Sequence, residues 1–129
     1  MPFPTQPLPA LPTVTAPDGS DVRVLASGRR GSMAHFTLAP GAVARAVVHR
    51  SVKEIWYFLA GQGRMWRARE DEERFTSLHG GVSLTIPVST RFQYRNDGPV
   101  PLVAVAVTMP PWPGPDEAEP VEGPWTPQL

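Results

Sequence analysis

His49 and Glu54, five positions apart, bring an imidazole and a carboxylate into one short stretch. Imidazole changes charge near neutral pH, so it can shuttle a proton or ligate a metal. A carboxylate is rarely buried without a partner, and His49 would be that partner, its own pKa raised by the opposite charge. Tyr94 adds a phenol that can act as a general acid or simply pack. Val47, two residues before His49, and Phe92 have no donor atoms and bind no metal. A catalytic zinc normally takes three protein ligands, and non-haem iron takes two histidines and a carboxylate. His49 and Glu54 supply two. A third would come from His35, on an expected strand, or from His79, in a loop beside Gly80 and Gly81. A divalent metal is therefore an open but unfavoured cofactor, and a metal-independent polar centre is the leading expectation.

Strand parity places these groups together. In Arg91–Asn96 charged and amide side chains alternate with aromatic ones, and successive strand residues face opposite ways. With Arg91, Gln93 and Arg95 outward, Phe92, Tyr94 and Asn96 turn inward. Val47 shares a face with His49, and Glu54 shares one with Trp56 and Phe58. Val47, His49, Glu54, Trp56, Phe92 and Tyr94 are thus expected to line one cavity. Apolar and aromatic walls with a few polar groups are the usual makeup of a small-molecule site.

The elements that must hold them are short strands. Asp21–Ala26, Met33–Leu38, Ala42–Arg50, Glu54–Leu59, Gly63–Arg69, Arg74–Leu78, Val82–Ile86, Arg91–Asn96 and Leu102–Met109 are rich in β-branched and aromatic residues. Turn residues separate them, among them Pro17-Asp18-Gly19, Pro40-Gly41, Gly61-Gln62-Gly63 and Gly80-Gly81. The run Glu70-Asp71-Glu72-Glu73 reads as a solvated hairpin tip, and Arg67 and Arg69 as a solvated face. No segment keeps a helical period; only Asp116–Glu119 suits a helical turn. Many short strands indicate a sandwich or small barrel.

The spacing of several of these residues resembles the two motifs of the cupin superfamily. The first reads G-x5-H-x-H-x(3,4)-E-x6-G and matches Gly41, His49, Glu54 and Gly61, with Val47 in place of the first histidine. The second reads G-x5-P-x-G-x2-H-x3-N and matches Gly81, Pro87 and Asn96, with Ser89 and Phe92 in place of glycine and histidine. In typical members three histidines and the glutamate bind one metal ion; here His49 and Glu54 remain. The resemblance implies an all-β double-stranded β-helix, or jelly roll, with a pocket at one barrel mouth and frequent homodimers. A histidine base facing a tyrosine acid is similar to the arrangement in sugar epimerases of the superfamily. The expected function is binding or isomerase-like conversion of a small, partly apolar organic molecule. Alternatives are a metal-dependent dioxygenase-type enzyme and a non-catalytic structural or regulatory domain.

The chain has 129 residues, the size of one domain. Twelve Lys plus Arg balance twelve Asp plus Glu, which argues against broad electrostatic binding to nucleic acid. With no cysteine, disulfides and thiol chemistry are excluded. No stretch approaches the roughly 20 apolar residues needed to cross a bilayer, and the N-terminus lacks a secretory pattern, so a cytoplasmic location without membrane contact is expected. Prolines crowd residues 1–20 and 110–129 and flank an expected barrel at 21–109. Proline lacks a backbone donor, so both ends should be extended or irregular. Trp112, Val121 and Trp125 gain by burial, so the C-terminal tail is expected to dock on the barrel, on a partner subunit or over one mouth.

Overall fold

Alternation of buried and exposed residues along short segments builds two antiparallel sheets. The computed structural model describes residues 3–129; Met1 and Pro2, which open the proline-rich segment, lie outside them. The strands are β1 (Val14–Thr15), β2 (Asp21–Ser27), β3 (Ser32–Leu38), β4 (Val47–His49), β5 (Lys53–Ala60), β6 (Gln62–Arg69), β7 (Glu72–His79), β8 (Ser83–Ile86), β9 (Arg91–Asn96), β10 (Leu102–Met109) and β11 (Ala118–Pro120). One sheet runs β1-β2-β3-β10-β5-β8 and the other β11-β4-β9-β6-β7. The helical structure described is one 3-10 turn, Pro115–Glu117. No described helix is long and apolar enough to cross a membrane. This is the all-β jelly roll that the strand pattern and motif spacing led one to expect.

The core lies between the sheets. β5 alternates strictly: Glu54, Trp56 and Phe58 are buried, while Ile55, Tyr57 and Leu59 are exposed. The facing sheet contributes Val47, Met65, Phe92 and Tyr94, each buried. Phe36 of β3 stacks on Trp56 with ring centroids 4.8 Å apart, and Trp56 meets Tyr94 edge-on at 5.3 Å. Apolar burial of this kind is the main favourable term for folding.

Two turns show what the local sequence must satisfy. Gly61 has a φ of 94°, and a Cβ there would come within 2.7 Å of the Pro101 carbonyl oxygen. A side chain is excluded on both counts. Ser89, at the glycine position of the second motif, also takes a left-handed φ of 66°. The chain keeps the turn there at a conformational cost that glycine would avoid.

Three expectations need correction. The strand expected over Ala42–Arg50 is regular only from Val47 to His49. Upstream, its backbone changes partner residue by residue: Ala44 N donates to Tyr94 O, Arg45 N to Asp18 O, and Ala46 O accepts from Val121 N. No continuous ladder forms. Gln93 faces away from the barrel interior, as parity required, yet is 1 % exposed. The C-terminal tail covers it; its amide donates to Ala44 O and Trp125 O and accepts from Trp125 N. Arg67 is not on a solvated face. It shares the inward parity of Met65, and its guanidinium donates to Thr85 O on the opposite sheet at 2.9 Å.

The tail beyond β10 packs on the barrel. Trp112 joins the main core, whereas Val121 and Trp125 cover a second cluster of Ala46, Trp66 and Ala68 on the outer face. Trp125 also sits beneath the guanidinium groups of Arg64 and Arg95, at 5.5 and 4.9 Å. At the other end, Arg23 Nε donates to Pro9 O at 2.9 Å and fastens the N-terminal segment along β2.

Candidate functional site

His49 and Glu54 meet across the two sheets. His49 ends β4 and Glu54 lies near the start of β5, so the short link Arg50–Val52 carries the chain between sheets. The pair does not lie on hydrogen-bonded neighbouring strands. Its Nδ1 and Oε1 atoms are 3.5 Å apart. Trp56, two residues along β5, donates its indole N–H to Glu54 Oε1 at 3.1 Å. His49 Nδ1 has no hydrogen-bond partner. The imidazole instead packs edge-on against Phe92 and Trp112, each with a centroid distance of 5.2 Å.

Burial decides the charge of both groups. It lowers the His49 pKa from 6.5 to about 4, against a smaller upward pull from Glu117. It raises the Glu54 pKa from 4.5 to about 8, which the Trp56 hydrogen bond only partly opposes; Asp18 and Glu117 push it further up. The expectation that Glu54 would raise the His49 pKa is therefore overturned. The desolvation cost of charging either group in this interior exceeds the attraction between them. At neutral pH a neutral carboxylic acid faces a neutral imidazole. The ion-pair form differs from this one only by transfer of a single proton over a short gap, so the pair can exchange a proton without changing its net charge.

Val47, Trp56 and Phe92 surround this pair, at 2 %, 1 % and 2 % exposure, with His49 at 5 % and Glu54 at 3 %. Tyr94 is equally buried. Its aromatic contact is Trp56, and its hydroxyl feels Asp18, Glu54 and Asp21. Burial raises its pKa well above 10.0; Ser20 offsets this only partly, and the hydroxyl makes no well-formed hydrogen bond.

His35 does not join the group. It is adjacent to Phe36, which packs inward on Trp56, so its own side chain lies on the outer face, in register with Arg23 and Val105. Burial, then the Arg23 charge, lowers its pKa. His79 is exposed at a strand end, with Nδ1 2.9 Å from Gly80 O. Among the described residues no three His, Cys, Asp or Glu side chains converge to hold a metal ion. Val47 and Phe92 carry no donor atoms. The donor set does not fit a tightly held metal ion, which needs at least three protein ligands in this kind of site.

The tail supplies parts of the site that strand patterns do not reveal. Trp112 lies over His49, and its backbone N donates to Ser32 Oγ at 2.9 Å. Glu117, 6 % exposed, accepts from Ser51 N at 2.6 Å, Ser51 Oγ at 2.6 Å and Val52 N at 3.0 Å. It thereby clips the 3-10 turn onto the link between His49 and Glu54. Burial raises its pKa, but these hydrogen bonds and His49 lower it by more. The size of Trp112 announced burial somewhere; nothing local announced where.

A family model described as a cupin domain matches residues 34–108. No curated protein matches the chain in sequence. Among solved structures, the capsular polysaccharide assembling protein CapF of Staphylococcus aureus is similar over 89 % of this chain and 34 % of its own, at 19 % identity and a TM-score of 0.71. Oxalate decarboxylase of Bacillus subtilis is similar over 78 % of this chain and 28 % of its own, at 22 % identity and a TM-score of 0.68. A Bacillus halodurans protein is similar over 78 % of this chain and 74 % of its own, at 20 % identity and a TM-score of 0.65. The chain thus spans about a third of CapF and little more than a quarter of oxalate decarboxylase. At these identities the likeness speaks for the fold. With a family match over more than half its length and a jelly roll of two facing sheets, the chain belongs to the cupin superfamily.

Proposed function

We propose that this cupin binds a small, partly apolar organic molecule at the His49–Glu54 pair, with Val47, Trp56 and Phe92 as walls, and converts it by proton transfer. The observation that carries this reading is the pair itself: two buried titratable groups 3.5 Å apart, whose pKa values burial moves in opposite directions, with an unpartnered imidazole nitrogen. Pairs of groups whose environments push their pKa values apart are the usual source of acid and base roles. An isomerase-like step needs only such a proton relay, which His49 and Glu54 can provide from this chain alone. Tyr94, packed on Trp56 with its hydroxyl in the field of Glu54, is the further acid candidate of this reading. Trp112, in edge contact with the imidazole, adds a further wall beside His49.

A second reading has an observation of its own. Trp56, Phe58, Phe92 and Tyr94 fill the interior at 2 % exposure or less, which suits a non-catalytic domain. Native mass spectrometry of the protein purified from its own host separates the readings. A co-purifying organic molecule that is lost in His49→Ala, with the fold intact, supports the first. No ligand, and no change in any binding assay on His49→Ala, assigns His49 to structure. Stoichiometric iron, manganese, zinc or nickel would instead favour a metal-dependent, dioxygenase-type enzyme with a ligand set beyond His49 and Glu54.

We also propose that two copies pair through the outer face of the six-stranded sheet. Met33, Ile55, Tyr57 and Leu59 are exposed there, beside half-buried Val103, Val105 and Val107. A contiguous apolar face is the usual mark of an interaction surface.

A further inference from the structure

On the inner face of the five-stranded sheet, Val47, Phe92, Arg67 and Arg74 form one row in register across β4, β9, β6 and β7. The two arginines are directly opposed. Like charges in such a pair repel and weaken the sheet. Among the described residues neither guanidinium is within ion-pair distance of a carboxylate, although three glutamates share the hairpin. Glu73 is committed elsewhere, accepting from Trp66 Nε1 at 3.0 Å, and Glu70 and Glu72 are exposed at the rim.

Arg67 is also incompletely satisfied. Its Nη1 and Nη2 donate to Thr85 O and Thr76 Oγ1, each at 2.9 Å, which fixes the plane of the guanidinium. Its Nε is buried without a partner. Thr90 is 3 % exposed, and its hydroxyl is likewise buried and unpartnered. Arg67, Arg74 and Thr90 line a cavity of about 240 Å³ together with Arg69, Thr85 and the three hairpin glutamates. Burial, and then the facing Arg74, lowers the Arg67 pKa, as expected for a cation lacking its counter-charge. Buried polar groups are nearly always paired, so two orphans beside two unneutralised arginines call for a ligand.

We infer that this cavity binds the carboxylate group of a small organic acid through Arg67, Arg74 and the Thr90 hydroxyl. A planar carboxylate matches the planar arginine fork, and it accepts several hydrogen bonds at once. The rim carboxylates of Glu70 and Glu72 oppose a dianionic phosphate more than a singly charged acid. The site stands on its own residues and does not rest on proton transfer at His49.

The test is a titration of the full-length, 15N-labelled chain with sodium propionate at neutral pH, following arginine Nε–Hε signals by NMR. Sodium chloride at matched ionic strength and inorganic phosphate are the comparators. The Arg67 signal should shift saturably with propionate, with a Kd of about 1 mM or tighter. Arg74→Gln, at an exposed position, should weaken binding about tenfold, and Thr90→Val, close in shape, should weaken it about fivefold. Backbone amide spectra report whether either variant keeps the fold. A shift that fails to saturate, that chloride reproduces, or that survives Arg74→Gln unchanged would overturn the site. Tighter binding of phosphate than of propionate would overturn the assignment to a carboxylate.

Discussion

His49 and Glu54 hold their protons in the reverse of the order found in water. The histidine gives its proton up first, at about 4, and the glutamic acid keeps its own to about 8. This has a measurable signature in stability. Glu54 binds its proton more tightly in the folded chain, so its contribution is lost as pH rises from 4.5 to about 8. His49 binds its proton less tightly when folded, so its contribution is lost as pH falls from 6.5 to about 4. Between 4.5 and 6.5 the two slopes oppose; between 6.5 and 8 Glu54 acts alone. Urea unfolding should show a loss of about 2 kcal/mol across that upper window. Glu54→Gln should abolish the loss and expose the acid-side decline due to His49. An unchanged alkaline profile in the variant would mean that Glu54 is ionised in the folded protein.

The segment from Pro110 to Pro120 works as a strap. Trp112 lies on the imidazole, Glu117 grips the 50–52 link, and β11 pairs with β4, so three contacts of different kinds hold it to one barrel mouth. Glu117→Ala removes a charged acceptor and leaves Val52 N, in a fully buried residue, without a partner. A loss of about 3 kcal/mol is expected, with faster amide exchange at Val52. Since the Glu117 pKa is lowered, its share of stability is present above 4.5 and is lost as pH falls below it. Trp112→Ala should make His49 reactive to diethyl pyrocarbonate while leaving the barrel folded. If His49 stays protected in that variant, Trp112 is not what covers it.

At the scale of the whole molecule, the apolar outer face of the six-stranded sheet sets the prediction. Tyr57→Glu places a charge in its middle and should halve the mass seen by sedimentation, with little effect on the core, because Tyr57 is 45 % exposed. A single mass for both forms would remove this face as a dimer contact. Much of the fold was legible because alternation is local: β5 and β9 can be read residue by residue, and the parity that turns Met65 inward does the same for Arg67. His35 could have been set aside in the same way, since Phe36 beside it is the larger apolar group. What was illegible depends on distant partners. The broken ladder at 42–46 exists because Asp18 and Val121 compete with β9 for its backbone. The charge state of the His49–Glu54 pair depends on how completely Trp112, Phe92 and Trp56 exclude water, which no spacing of residues expresses.

The pairing of β11 with β4 has a consequence for solubility. β4 carries Val47 and Val48, and without β11 it would be a free sheet edge able to template pairing with another chain. The opposite edge, β7, begins Glu72-Glu73-Arg74, and such charges deter pairing by themselves. The tail is thus the guard of the edge of this sheet that lacks charged gatekeepers. Removing residues 111–129 should therefore do more than lower the melting temperature: light scattering should rise with protein concentration well below that temperature. A truncated chain that melts earlier but stays monodisperse would mean that β4 is protected by its shortness alone.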